Sequence, residues 1–275
     1  ANTGNLGKVS FNVPKNVDTI IVEVVGGGAA KYFDEAKGEQ PLPNTVTLRA
    51  AAPIVDKSNV GVSVFTEAAV KNAEKLVGGL TKPENITKAN KDVGDAVGIS
   101  NITQAPNIIG DNTDYQQLKD DAASKYALQL AALVKAAASN VSGNTPALDL
   151  LNKLVADLSD GVVDGKSGTA TLSDLPYANL ASVFAAAWQL AMNDLLNTLE
   201  QADIKAKLKA DVADTVKIKD VLTGDLVTGD TDFGGSAEKP WKGEIYLLAV
   251  NTPRLPDFST LTPIGTLFTS DINIS

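Results

Sequence analysis

The spacing of apolar residues changes twice along the chain. In the first 65 residues, apolar residues either alternate with polar ones, as in Val9, Phe11 and Val13, or form short runs ended by turn residues such as Pro14 and the glycines 26–28. Alternation and short apolar runs of this kind are typical of strands. We therefore predict strands at about residues 8–13, 19–25, 46–50 and 60–65.

From residue 66 to about residue 214 the apolar residues recur every three or four positions, which is the spacing of helices. Thr66 precedes an alanine-rich run, and Thr81 stands three residues before Glu84, the spacing of a capping box. An apolar stripe that ends near Ala137 predicts the longest helix, beginning at Asp114. Further helices are predicted at about 146–158, 177–200 and 202–214.

Strand patterns return near the end of the chain, at 216–221, 244–250, 264–268 and 271–274. Four strands at each end are few for two separate sandwiches, whereas together they make about eight, the usual size of one. The sequence therefore predicts an α+β fold in which residues 1–65 and 215–275 form one β-sandwich and residues 66–214 form an inserted α-helical bundle. Two serial domains are the alternative.

The 275 residues include no histidine and no cysteine. This composition excludes imidazole and thiolate metal centres, disulfides, and nucleophiles activated by histidine. A pair of carboxylates could still cleave a glycosidic bond, but aromatic residues, which often line carbohydrate clefts, make up only 5% of the chain. We therefore expect no enzyme activity, no catalytic residue, and no cofactor other than calcium.

The formal net charge is −9, and the basic residues include only two arginines, Arg49 and Arg254. An acidic, arginine-poor surface disfavours nucleic acid and anionic membranes as partners. The longest apolar stretch, residues 177–192, is shorter than the roughly 20 residues that cross a bilayer, so we predict a buried helix with Trp188 in the core. The chain begins at Ala1 without a leader pattern, which we interpret as a processed or trimmed end.

Carboxylates fall in two glycine-rich segments, one near residue 160 and one near residue 230. Calcium favours oxygen ligands on loops of this kind. The spacing of an EF-hand is absent from both segments, and Asp-Gly pairs are also ordinary turn residues, so we favour turns over ion sites. The candidate calcium ligands are Asp160, Asp164, Asp225, Asp230 and Asp232.

Five short segments between residues 20 and 165 have a recognisable pattern: Gly26–Gly27, residues 34–38, residues 48–50, Phe65–Thr66–Glu67 and Ala89–Asn90. Together they resemble a helical module of bacterial exported surface proteins that accompanies Ig-like and carboxypeptidase-regulatory-like sandwiches. The resemblance includes no catalytic motif. It implies a location outside the cell and a structural or adhesive role.

A small, acidic and cysteine-free composition also fits an exported bacterial protein. We therefore predict a secreted or cell-surface structural protein, adhesin-like or a filament subunit, whose partners are copies of itself or other cell-surface components. The alternating segment with Val9, Phe11 and Val13 is the candidate self-assembly strand, which would complete the sheet of a neighbouring subunit. The alternative is a secreted module that binds a small ligand or a glycan, with Trp241 as a candidate exposed contact.

Overall fold

A computed structural model describes residues 12–13, 17–34, 37–54, 59–109, 113–140, 146–172, 175, 181–212, 217–219 and 226–228. All of them belong to one unit within residues 1–230, and residues 231–275 lie outside the described residues. The described strands are β1 (Thr19–Val25), β2 (Lys31–Asp34), β3 (Gly38–Pro41), β4 (Thr47–Pro53), β5 (Lys166–Ser167), β6 (Ala170–Thr171), β7 (Lys217–Lys219) and β8 (Leu226–Thr228). The described helices are α1 (Val64–Lys75), α2 (Pro83–Val97), α3 (Ala122–Asn140), α4 (Pro146–Leu158), α5 (Ala181–Asn197) and α6 (Ala202–Val212).

Strands β1 and β4 form the base of a long hairpin, paired antiparallel from Thr19↔Pro53 to Val25↔Thr47. Strands β2 and β3 form its outer part. Gly26 lies at the joint between the two parts, where a Cβ atom would overlap the carbonyl oxygen of Pro43. The glycine run, which the sequence indicated only as a flexible turn, therefore permits a close approach of two backbone segments.

The predicted strand at 60–65 is wrong, because helix α1 begins at Val64. Ser63 is the N-cap of the helix, and its side chain accepts hydrogen bonds from the backbone N–H groups of Phe65 and Thr66. In return, Thr66 Oγ1 accepts from the backbone N–H of Ser63 at 2.8 Å. This reciprocal capping box satisfies backbone donors that a helix start leaves open.

Two other predicted helix starts are displaced. Thr81 lies in a short 3₁₀ turn and donates to the carbonyl of Gly78, and the N-cap of α2 is Lys82, so the predicted capping box of Thr81 and Glu84 does not form. The long helix predicted from Asp114 is divided into a 3₁₀ turn, Asp114–Gln117, and helix α3. Helix α4 begins and ends where the sequence predicted.

The helices pack around a buried aromatic cluster. The ring of Phe65 on α1 lies 6.2 Å from that of Tyr126 on α3 and 6.5 Å from that of Trp188 on α5. Trp188 also donates from Nε1 to the carbonyl of Gln129 at 3.2 Å. The predicted core position of Trp188 is confirmed, and burial of these rings joins α1, α3 and α5.

The chain is α+β, but the predicted β-sandwich with an inserted helical bundle is wrong. Every sheet in the described part of the chain has two strands, in the pairs β1–β4, β2–β3, β5–β6 and β7–β8. Strand β4 packs against α1 and α2, and its buried residues are the small Ala50, Ala51 and Ala52. The β1–β4 sheet therefore packs against helices, whereas the predicted β-sandwich required it to pack against a second sheet. The predicted strands after residue 240 lie outside the described residues, and the domain boundaries stay predictions.

No helix among the described residues is long and apolar enough to cross a membrane.

A candidate strand-pairing edge

Strand β1 has one edge paired with β4 and one edge that no described residue covers. Along an antiparallel pair of strands, directly opposite residues alternate between hydrogen-bonded and non-hydrogen-bonded pairs. Two backbone hydrogen bonds lie at the ends of the ladder, from Gly26 N to Val46 O (2.9 Å) and from Ile54 N to Asp18 O (2.8 Å). Because hydrogen-bonded pairs alternate with non-hydrogen-bonded ones, the even-numbered residues of β1 are those that form hydrogen bonds with β4. The odd-numbered residues therefore direct their backbone N–H and C=O groups away from β4. These groups, which belong to Thr19, Ile21, Glu23 and Val25, are called the open edge of β1.

Exposed apolar side chains accompany the open edge. Ile21 is 50% exposed and Val25 is 56% exposed, and Val17, just before the strand, is 37% exposed. These β-branched residues favour extended backbone. Natural sheet edges are commonly protected by lysine, proline or a bulge, whereas β1 contains no lysine and no proline. Its one charged residue is the exposed Glu23, so the open edge is suited to pairing with another strand.

The outer edge of β4, in contrast, is covered by side chains from two helices. The backbone N–H of Arg49 donates to Glu67 Oε2 on α1 at 2.7 Å. The carbonyl of Ala51 accepts from Asn90 Nδ2 on α2 at 2.9 Å. These side chains take the place of a further strand, so β4 is closed at these positions and β1 is not.

Arg49 and Glu67 also form a part-buried ion pair that fixes β4 to α1. The guanidinium donates from Nη2 to Glu67 Oε1 at 2.8 Å and from Nε to Oε2 at 3.1 Å, and it reaches Glu74 from Nη1 at 2.6 Å. Glu67 is only 5% exposed. The hydrogen bond to Glu67, more than that to Glu74, raises the pKa of Arg49 above its ordinary value. The ion pair between this guanidinium and Glu67 holds the sheet that carries the open edge.

The candidate calcium ligands Asp160 and Asp164 lie in the loop after α4 and accept backbone hydrogen bonds. Asp160 accepts from Val162 N at 3.1 Å and from Gly168 N at 2.9 Å. Asp164 accepts from Lys166 N at 3.0 Å. These contacts are typical of aspartate-stabilised turns.

The main organiser of this loop is a residue that the sequence prediction missed. Asp157 is fully buried, and its Oδ1 accepts from the N–H groups of Asp164 (3.1 Å), Gly165 (3.0 Å) and Lys166 (3.2 Å). In the described part of the chain no group of three or more acidic residues could hold a metal ion. Calcium binding stays a prediction, since the other candidate ligands lie outside the described residues: Asp225, Asp230 and Asp232.

The remaining predicted site residues are mostly outside the described residues. This holds for Val9 and Phe11 of the candidate self-assembly strand and for the candidate contact Trp241. Val13 is described and is half-buried. The open edge of β1 was itself not predicted as a site, although the run of β-branched residues at 19–25 had indicated the strand.

Comparison with known proteins gives no further guide. No protein-family model, curated protein or solved structure matches the chain. The predicted β-sandwich is contradicted by the two-stranded sheets of the described residues, and neither the comparisons nor the fold supports an extracellular location or an adhesive role.

Proposed function

We propose that this chain is a structural protein whose copies join by pairing a β-strand along the open edge of β1. The observation that carries the proposal is the combination, on one strand, of backbone groups without a described partner and exposed apolar side chains at Ile21 and Val25. Strand addition of this kind derives its affinity from main-chain hydrogen bonds and its specificity from alternate side chains.

The energetics favour pairing once a second strand is present. Each backbone hydrogen bond contributes about 0.5–1.5 kcal/mol net, because it replaces bonds to water. Each favourable cross-strand side-chain pair adds about 0.2–1 kcal/mol. A two-stranded sheet is marginal by itself, and three or more strands with an apolar face are stable, so a sheet that consists of β1 and β4 gains from each added strand.

The proposal is restricted to assembly. Secretion to the cell surface, the absence of enzyme activity and the alternative of a ligand-binding module stay predictions from composition.

The test compares two lysine substitutions at exposed valine or isoleucine positions. Ile21→Lys places a charge on the open edge, while Val77→Lys places one on a residue that is 89% exposed and far from β1 in sequence. Sedimentation velocity over a range of protein concentrations should show association of the wild type and of Val77→Lys, and a monomer for Ile21→Lys. Ile21→Pro is a second edge variant, because it removes an outward N–H and leaves the bonds to β4. A wild type that remains monomeric at every concentration refutes the proposal, as does association that survives both edge variants.

A further inference from the structure

The open edge of β1 is self-complementary in one antiparallel register. Its exposed apolar residues, Val17, Ile21 and Val25, are spaced four residues apart with Ile21 at the centre. If two copies of β1 pair antiparallel about Ile21, Val17 of each copy lies opposite Val25 of the other. Thr19 then lies opposite Glu23. Apolar residues meet apolar ones, and each carboxylate meets a hydroxyl.

We infer that the strand added to the open edge is β1 of a second copy, paired about a twofold axis at Ile21; the inference rests on the proposed function. The axis passes through a pair of residues whose N–H and C=O groups both point outward. Directly opposite residues of that kind exchange two hydrogen bonds. The interface is isologous, because the same patch is used on both copies.

Glu23 favours this register over the two centred on the residues that follow. Pairing about Glu23 places two carboxylates directly opposite each other, which is destabilising. Pairing about Val22 places each carboxylate opposite the side chain of Ile21. Pairing about Ile21 avoids both arrangements.

The product is a four-stranded antiparallel sheet in the order β4–β1–β1–β4. Both outer strands are then copies of β4, on which Glu67 occupies an outward N–H and Asn90 occupies an outward C=O. Strands added to such an edge would have to displace these side chains. The pairing therefore closes at two copies, and a filament would need a separate contact.

Single cysteine substitutions test the register, and the natural absence of cysteine makes each one unambiguous. Residues opposite in a bonded pair have Cα atoms about 5.5 Å apart, within disulfide range. Ile21→Cys should therefore form a disulfide-linked dimer under mild oxidation. Thr19→Cys and Glu23→Cys should not do so alone, because four residues separate each from its own copy, roughly 13 Å along the strand. An equal mixture of these two variants should form the mixed dimer.

The controls separate this inference from the proposed function. Val77→Cys reports random collision, and disulfide yields equal to those at Ile21→Cys overturn the register. Phe11→Lys addresses the N-terminal segment: loss of association in this variant, without a disulfide at Ile21→Cys, assigns the added strand to residues 8–13 and overturns self-pairing. In that case Ile21→Lys still prevents association, and the proposed function stands. Association that persists in both Ile21→Lys and Ile21→Pro refutes both the proposed function and the inference.

Discussion

The ion pair between Arg49 and Glu67 gives the sharpest stability prediction, because it alone links the guanidinium of β4 to a buried carboxylate of α1 among the described contacts. Arg49→Met removes the charge and the donors but keeps an unbranched aliphatic side chain. Glu67 then retains one bond, from the backbone N–H of residue 49 at 2.7 Å, and loses the two side-chain donors. A buried carboxylate without its cation is the expected source of destabilisation.

The magnitude follows from burial. Removing one partner of a fully buried ion pair costs about 3–5 kcal/mol. The side chain of Arg49 is 23% exposed, and the backbone bond to Glu67 survives, so we expect a loss of roughly 2–3 kcal/mol in the free energy of unfolding. Glu74 has a side chain that is 42% exposed. Glu74→Gln should therefore cost less than about 1 kcal/mol, as surface ion pairs do.

Urea unfolding followed by circular dichroism measures these differences. The comparison requires that the slope of the unfolding free energy against urea concentration is the same in each variant. The matched control is the double variant Arg49→Met/Glu67→Gln, in which the amide oxygen still accepts from the backbone of residue 49 but no buried charge remains. The double variant should be more stable than Arg49→Met alone by about 1 kcal/mol or more. An Arg49→Met protein within about 0.5 kcal/mol of wild type, or a double variant that is no more stable than Arg49→Met alone, refutes the reasoning.

Two further predictions concern the helical core and the loop after α4. Burial raises the pKa of Tyr126 above its ordinary value of 10.0, so the unfolded phenol ionises first and stability falls as the pH rises above about 10. Tyr126→Phe should reduce that alkaline loss in urea titrations at several pH values; an unchanged slope contradicts the assignment. Asp157→Ala should cost about 3 kcal/mol, because three backbone donors lose their acceptor, and should speed amide exchange at Gly165; Asp160→Ala should cost less, and equal costs contradict this order.

The sequence predicted individual elements best where local chemistry decides the conformation. Helix α4 begins at Pro146, whose fixed φ angle suits the first turn of a helix, and its bounds agree with the prediction. Strand β1 agrees as well, because a run of β-branched residues ended by glycine has few other interpretations. Both elements carry their signal within a few residues.

The predictions were wrong for residues whose conformation depends on contacts with residues distant in sequence. Residues 60–65 were predicted to form a strand. In the structure Ser63 caps helix α1, and its hydroxyl shares a hydrogen bond of 2.5 Å with the hydroxyl of Tyr126. The ring of Phe65 stacks on that of Trp188. Neither partner can be identified from the local pattern. Asp157 was missed for a similar reason, because it lies within an amphipathic helix and its partners follow seven to nine residues later.

In the proposed assembly, the difference between the two edges of the β1–β4 sheet accounts both for how association begins and for how it is limited. Leaving backbone groups of an edge unpaired is tolerable in water but exposes the strand to any partner. At β4 that exposure is reduced at two positions, where Glu67 accepts from the N–H of Arg49 and Asn90 donates to the C=O of Ala51. At β1 it is retained, and in the proposed pairing Glu23 favours the register centred on Ile21 over those centred on Val22 and Glu23. If copies pair about Ile21 as proposed, the margins of the joined sheet are the β4 edges that Glu67 and Asn90 partly occupy, so the contacts that hold each sheet to its helices would also limit the number of copies that join.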